Sequence, residues 1–289
     1  MSILSSPQGR PERIYSLYWS WVAADPDATE EHVRDFVNPG YMRQGSQLLM
    51  DKANFANVPG AAQFLNMKKL VAETRSAPLS YQRLLDQMHN ALVALDADDL
   101  DAVLLRAFAF FVVKSEQQGN TFWYIDGASG VVDEISTALN RHSNSAPAMN
   151  LTKYTAWRRW MVALGLMVPN PIPSNTEIVD ITRRLERTIG SEIFSNESVY
   201  TPAEFLSRVS REMPYLDGGA QFNELCSAVS FTPKSRHVSR VLSYALQELH
   251  SDGVIELISR GDDSANYRLQ GDTLHERQTF VEVKIARLK

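Results

Sequence analysis

A mainly helical fold carrying small strand pairs is what this sequence predicts, and three observations predict it. Val238, Val241, Leu242, Ala245, Leu246 and Leu249 fall at the i, i+3, i+4, i+7, i+8, i+11 spacing of one helical face. Gly253 follows where a left-handed residue closes a helix, and Val254 to Ile258 then read as a strand. The same order recurs upstream, with Trp157, Trp160, Met161 and Leu164 on a stripe, Gly165 after them, and Leu166-Met167-Val168 opening a strand.

Taken in order, Pro11 to Ala24 starts with proline and carries Ile14, Tyr15, Leu17, Tyr18, Trp19, Trp21 and Val22, so it reads as a helix buried over most of its circumference. Thr29 can cap a short helix over Glu30 to Val37, which stops at Asn38-Pro39-Gly40. No clear period runs from Gly45 to Ser76, so a third helix of an N-terminal module has no sequence anchor there. Ser80 to Leu95 places Leu84, Leu85, Met88, Leu92 and Leu95 on a stripe. The acidic run Asp96 to Asp101 then leads into the Leu- and Phe-rich helix from Ala102 to Val113. A calcium loop of the EF-hand kind needs glycine sixth and glutamate twelfth, where Asp101 and Ala107 stand, so the acids read as the first turn of a helix.

Gln117 to Gly130 reads as an exposed hairpin or linker and marks a domain boundary, with a helix after it from Val131 to Asn140 and a polar loop from Arg141 to Met149. Asn150-Leu151-Thr152 then cap the tryptophan helix, whose opposite face carries Thr152, Thr155 and Arg159, a solvated face or a phosphate contact. Three prolines between Pro169 and Pro173 make a stiff connector. Beyond it, Thr176 to Ile189 is expected to be one amphipathic helix with Ile178, Ile181, Leu185 and Ile189 inward. Arg183, Arg184 and Arg187 then lie partly outward, bridging modules or pairing with Glu177, Asp180 and Glu186.

The C-terminal stretch is the most legible. Thr201 caps a helix that has Pro202 at its first position and Phe205, Leu206, Val209 and Met213 on its stripe, ending at Pro214. A second helix from Gln221 to Val229 can pack by Phe222, Leu225 and Cys226. The third is the Val238 helix, opposite whose apolar face a helical wheel puts Arg236, Arg240, Ser243 and Gln247. After it come the strand, the polar loop Arg260 to Ala265 and a returning strand Asn266 to Leu269. Helix, helix, helix and wing in this order resemble the winged helix-turn-helix superfamily over about 70 residues, Tyr200 to Leu269. The resemblance implies a recognition helix, with Lys234, Arg236, Arg240, Ser243, Gln247 and the wing residue Arg260 as the groups able to meet double-stranded DNA. Asp262 and Asp263 at the wing tip oppose that grip.

The expected fold class is therefore mainly α with small β-wings, in tandem winged-helix modules joined by helical segments. The expected divisions are 1–116 (helical, with room for a further winged helix), 117–170 (central module), 171–199 (connector helix) and 200–289 (C-terminal module with a terminal strand). In size and acidity the chain resembles the tandem winged-helix subunits of SMC-type complexes. Its layout, with the start Met1-Ser2-Ile3-Leu4, resembles accessory proteins of bacterial phage-defence clusters such as DpdG.

Composition bounds the function. The 289 residues are 44% hydrophobic, enough to bury real cores, and no window is apolar and uncharged over a membrane-spanning length. With no signal-like apolar stretch at the start, a cytoplasmic location is expected. The single cysteine, Cys226, rules out a disulfide framework, and no two of the six histidines stand at the spacing of a helical metal pair. Net charge is −5, and residues 201–289 hold 11 Lys and Arg against 12 Asp and Glu, so only local basic faces are available to nucleic acid.

One catalytic pattern stands out. Phe280-Val281-Glu282-Val283-Lys284 resembles the core strand of PD-(D/E)xK nucleases, with Asp262, Asp263 or Asp272 as the further carboxylate, but no room follows it for the rest of that core. The expectation is thus a protein with no catalytic residues, no cofactor and no metal. It is either a DNA-binding accessory or regulatory subunit or an architectural, protein-binding subunit of a larger complex. Double-stranded DNA, protein partners of such a complex and a second copy of the chain are the partners this layout allows, and a membrane is not.

Overall fold

The computed structural model describes residues 2–5, 9–29, 33, 43–44, 47–48, 65–119, 122–123, 128–139, 148–170, 177–194, 198–260, 266–271 and 279–286. These residues are mainly helical, with small antiparallel sheets. Most of the Glu30 to Val37 helix, the loop 141–147, Pro171 and Pro173, Asp262 and Asp263 of the expected wing tip, and Asp272 lie outside them.

Helix α1 (Pro11–Ala23) begins with proline and buries Ile14, Leu17, Tyr18 and Trp21. It is not covered all round as expected: Trp19 is 41% exposed, edge-on to Tyr15 and Tyr18, because long aromatics can cover one another at a surface. Strands β1 (Arg43–Gln44) and β2 (Gln47–Leu48) make a short pair. Helix α2 (Met67–Thr74) is capped by Asn66, and α3 (Tyr81–Val93) by Ser80, whose side chain accepts from the Arg83 amide. Arg75, just past α2, donates to the carbonyls of Trp21, Val22 and Ala24 and so closes the end of α1.

Helix α4 (Val103–Gln118) follows the acidic run, and the run has a structural use. The Asp101 carboxylate accepts from Ser2 Oγ at 2.7 Å and from the Ile3 amide at 2.8 Å, fastening a segment whose Ile3 and Leu4 are buried. Burial raises its pKa above the ordinary carboxylate value, against the pull of those bonds. Further along come β3 (Phe122–Trp123), α5 (Ala128–Leu139), α6 (Leu151–Leu164), β4 (Met167–Pro169), β5 (Glu177–Val179), α7 (Thr182–Ile189) and β6 (Val199–Tyr200). The chain ends in α8 (Pro202–Glu212), α9 (Ala220–Ala228), α10 (Arg240–Ser251), β7 (Ile255–Ile258), β8 (Tyr267–Arg268), β9 (Thr279–Phe280) and β10 (Glu282–Ile285).

Two compact units result: Met1–Leu104 with Leu151–Ala163, and Leu105–Asn150 with Leu164–Lys289. In the first, Trp157 and Trp160 are fully buried, as expected of anchors. Their indole N–H groups donate to Leu104 O and Gly9 O, each at 2.8 Å, which removes the cost of burying them. Thr152, Thr155 and Arg159 face solvent.

The second unit holds two three-stranded antiparallel sheets of one topology. Their orders are β3-β5-β4 and β6-β10-β7, so in each the first strand pairs with the last and the last with the middle one. In each, too, a helix runs into a left-handed glycine before the middle strand, Gly165 at φ +76° and Gly253 at φ +71°. Two expectations are corrected. Residues 177–179 are a strand, not the first turn of a helix, because β-branched Ile178 and Val179 pair with Val168 and Met167 on one side and Ile178 with Phe122 on the other. The returning strand of the last hairpin is β10, while β8 pairs with β9 in a separate ribbon.

Arg184 does not project outward either. It is 3% exposed, and its Nε donates to Leu164 O at 2.9 Å, the same carbonyl that accepts from Arg187 Nη2 at 2.9 Å. The two guanidinium groups close the end of α6, where the unpaired carbonyls and the negative end of the helix dipole favour cations.

Candidate functional site

The candidate site is α10 and the turn before it. Ser239 is the N-cap, in extended backbone with its Oγ accepting from the Leu242 amide, so the helix starts at Arg240 rather than at Val238. Val241, Leu242, Ala245, Leu246 and Leu249 are buried, as the spacing predicts, and Val238 is buried just ahead of them.

The opposite face is not free. Ser243 is fully buried, accepting from the Gln270 amide at 2.9 Å and donating to Val238 O at 3.2 Å, and Gln247 is 5% exposed. Both were expected to point outward. Arg240 is half-buried, its guanidinium beside Gly119 at the carbonyl end of α4 and its Nε enclosed without an acceptor. Only Glu248 and Ser251 of this helix are exposed. A helix covered on nearly every side is an internal strut, whatever its polar residues.

The leading amides of α10 are also taken. Ser239 donates its amide to Asp217 Oδ1 at 2.6 Å and its hydroxyl to Asp217 Oδ2 at 2.5 Å. The Arg240 amide donates to Glu116 Oε1, and Gln270 Nε2 donates to Glu116 Oε2 at 2.6 Å. Two carboxylates therefore occupy the positive end of the helix, where an incoming anion would sit. Burial pushes the Asp217 carboxyl up to about 6 despite the Ser239 bonds, and the nearby Glu116 charge pushes the same way. Burial, with the charges of Asp217 and Glu116 behind it, pushes the Cys226 thiol up to about 12, so that cysteine is an inert core group.

The remaining predicted cations divide. Lys234 and Arg236 are exposed in the turn ahead of Ser239. Arg260 is exposed but ion-paired to Glu282 at 2.6 Å. Glu282 and Lys284 thus sit on a partly wet sheet face, one with Arg260 and the other 3.6 Å from Glu256, its partner across the strands. Among the described residues, no group of three His, Cys, Asp or Glu side chains could hold a metal ion.

Sequence reasoning missed Glu116, Asp217 and Gln270. Glu116 lies 124 positions from Arg240 and 154 from Gln270, in sequence terms invisible. A local signal did exist for the helix start: Ser239 is a strong N-cap type directly before the apolar period.

A mainly helical protein, built on repeated small antiparallel sheets with an internally capped central helix, is the class these observations define. The chain belongs to the DpdG-like family, whose family model matches residues 1–263. No curated protein and no solved structure matches it.

Proposed function

We propose that the chain is a non-catalytic architectural subunit of a bacterial phage-defence assembly, in which winged-helix modules serve as rigid frames for protein partners and not as readers of DNA bases. Membership of the DpdG-like family is consistent with an accessory protein of a phage-defence cluster. The matching order of the two sheets, each with a helix, glycine and strand pair, supports the winged-helix reading of both modules. The burial of Ser243 and Gln247 carries the choice of scaffold over reader: a recognition helix must present such groups to base edges, and these two are packed inside. The Glu282 and Lys284 pairings leave the nuclease alternative without support in geometry.

The test is reconstitution. A partner recovered from the native host is purified separately and mixed with the full chain, and light scattering reads the mass of the complex. Co-elution at fixed stoichiometry supports the scaffold. A chain that forms no such complex, yet binds one DNA sequence over others with a preference altered by Gln247→Ala, overturns it.

A further inference from the structure

Helix α1 leaves one side only partly covered in the first compact unit. Glu12, Tyr15 and Trp19 fall at i, i+3 and i+7, the spacing of one helical side. Glu12 and Trp19 are exposed and Tyr15 is half-buried. Half-buried Tyr81, the first residue of α3, joins them: its ring lies 5.1 Å from that of Tyr15 at an interplanar angle of 67°, and Tyr15 lies 6.3 Å from Trp19 at 88°. Rings set so steeply to one another make a corrugated surface, not a flat one. Their polar ends are open. Among the described residues Tyr15 Oη, Trp19 Nε1 and Tyr81 Oη make no hydrogen bond and Glu12 makes no ion pair, whereas the buried Tyr18 hydroxyl bonds Thr74 Oγ1 at 2.7 Å and accepts from the Leu79 amide at 2.8 Å. Burial, and after it the Glu12 charge, push the Tyr81 hydroxyl up to about 12, so it stays a neutral donor near pH 7. Arg13 and Arg83 belong to the same two helices, yet the charge felt at that hydroxyl is the Glu12 carboxylate's.

We infer that Glu12, Tyr15, Trp19 and Tyr81 form a docking surface for a proline-rich segment of a partner protein, held in the polyproline II conformation and carrying a basic residue beside its prolines. A polyproline II chain has no internal hydrogen bonds, so its carbonyls are bare. An indole N–H and two phenol hydroxyls supply the donors those carbonyls lack, and the aromatic rings receive the proline rings. Glu12 is the complement of the basic residue. An added strand needs a free sheet edge and an added helix a long apolar groove, and a patch of three rings on two helices offers neither. Duplex nucleic acid would bring its phosphates against the Glu12 carboxylate. A second copy of the chain would have to bury about 800 Å² on each side for a stable dimer, far more than three part-covered rings expose. The inference rests on the scaffold reading, whose partner it describes by chemistry, while reconstitution reads complex formation whichever surface serves it.

The test is the magnetic resonance spectrum of the tryptophan indole N–H groups in the isotope-labelled full chain, with a short all-proline peptide bearing an arginine at each end as the probe. The Trp19 signal is assigned by its loss in Trp19→Phe. It is expected to shift saturably as peptide is added, while the signals of the buried Trp157 and Trp160 stay in place. Exchanging every proline of the probe for glycine keeps its charge and loses its preset conformation, and should weaken binding about tenfold or more. Tyr15→Phe with Tyr81→Phe keeps both rings and removes two donors, which should weaken binding about fivefold or more. Glu12→Gln should weaken it about twofold to fivefold, the scale of an exposed ion pair, and circular dichroism should be unchanged in all these variants. A Trp19 signal unmoved by about 1 mM peptide, equal binding of the glycine probe, or undiminished binding by the folded double tyrosine variant would each overturn the proposal. So would dimerisation of the chain that Trp19→Ala abolishes, which assigns the surface to a second copy. If the peptide fails while the reconstituted complex still forms, the docking surface falls and the scaffold stands.

Discussion

Replacing Asp217 with asparagine tests the electrostatics of the α10 cap directly. An aspartate titrates near 3.8 in a solvated chain and at about 6 in this fold, because burial outweighs the two bonds from Ser239. At about 1.36 kcal/mol per pH unit, that displacement corresponds to about 3 kcal/mol. The sign follows from proton counting. Below pH 4 the carboxyl is protonated in folded and unfolded chains alike and its contribution to stability is complete; as pH rises through about 6 the folded carboxyl loses its proton and that contribution is lost. Asparagine keeps an oxygen for the Ser239 amide and offers an N–H to the Ser239 hydroxyl, but it carries no charge. Urea denaturation of both proteins at pH 4 and pH 8 is the assay. Relative to wild type, Asp217→Asn is expected to gain about 3 kcal/mol on going from the lower pH to the higher, titrating groups remote from Asp217 cancelling in the comparison. A difference flat with pH, or one that moves against the variant as pH rises, would refute the reasoning.

Three further outcomes are expected. Trp160→Ala opens a cavity at a fully buried site and orphans Gly9 O, and should cost roughly 3 to 5 kcal/mol in urea melts; a cost under 1 kcal/mol contradicts the burial. Thr201→Ala removes a capping box in which Thr201 and Glu204 satisfy each other's backbone, for about 1 kcal/mol near neutral pH. Those bonds hold the Glu204 carboxyl below its usual range, so the stability it adds is present above the ordinary glutamate pKa and disappears as pH falls through the lowered one, and the cost should shrink in acid. Gly253→Ala meets open space and should cost about 1 kcal/mol for its left-handed φ alone, whereas Gly165→Ala must also displace Arg187, and thermal melts should rank the second well below the first.

Local rules carried much of the fold. Thr201-Pro202, Ser80, Gly165 and Gly253 each mark a helix end by backbone chemistry that needs no distant partner, and the structure has ends at all four. The apolar stripes of α3, α8 and α9 likewise face the cores they predict. What periodicity cannot supply is the identity of whatever covers the other side of a helix. Ser243 and Gln247 are polar by type, yet Gln270 supplies the hydrogen bond that lets a serine be buried, and nothing near residue 243 announces it. Ile178 shows the same limit for strands: its spacing fits a helix, and pairing with β4 and β3 overrides that preference. The candidate site suffered most, because its meaning depends on which face of α10 is dry.

The discontinuous first unit has a consequence for biosynthesis. Gly9 leaves the ribosome long before Trp160, 151 positions later, is made to meet it. At about 5 to 20 residues per second the wait is roughly eight to thirty seconds. Ile3 and Leu4 are clasped earlier, once Asp101 is out, but Trp157 and Trp160 arrive only after all of Leu105 to Asn150 has been translated. The nascent N-terminal half therefore spends that interval with an unfinished apolar core while the first strand and helix of the next unit are already being delivered. Slowing translation within 105–150 lengthens the exposure, and a nascent chain stalled there is a natural substrate for chaperones and proteases.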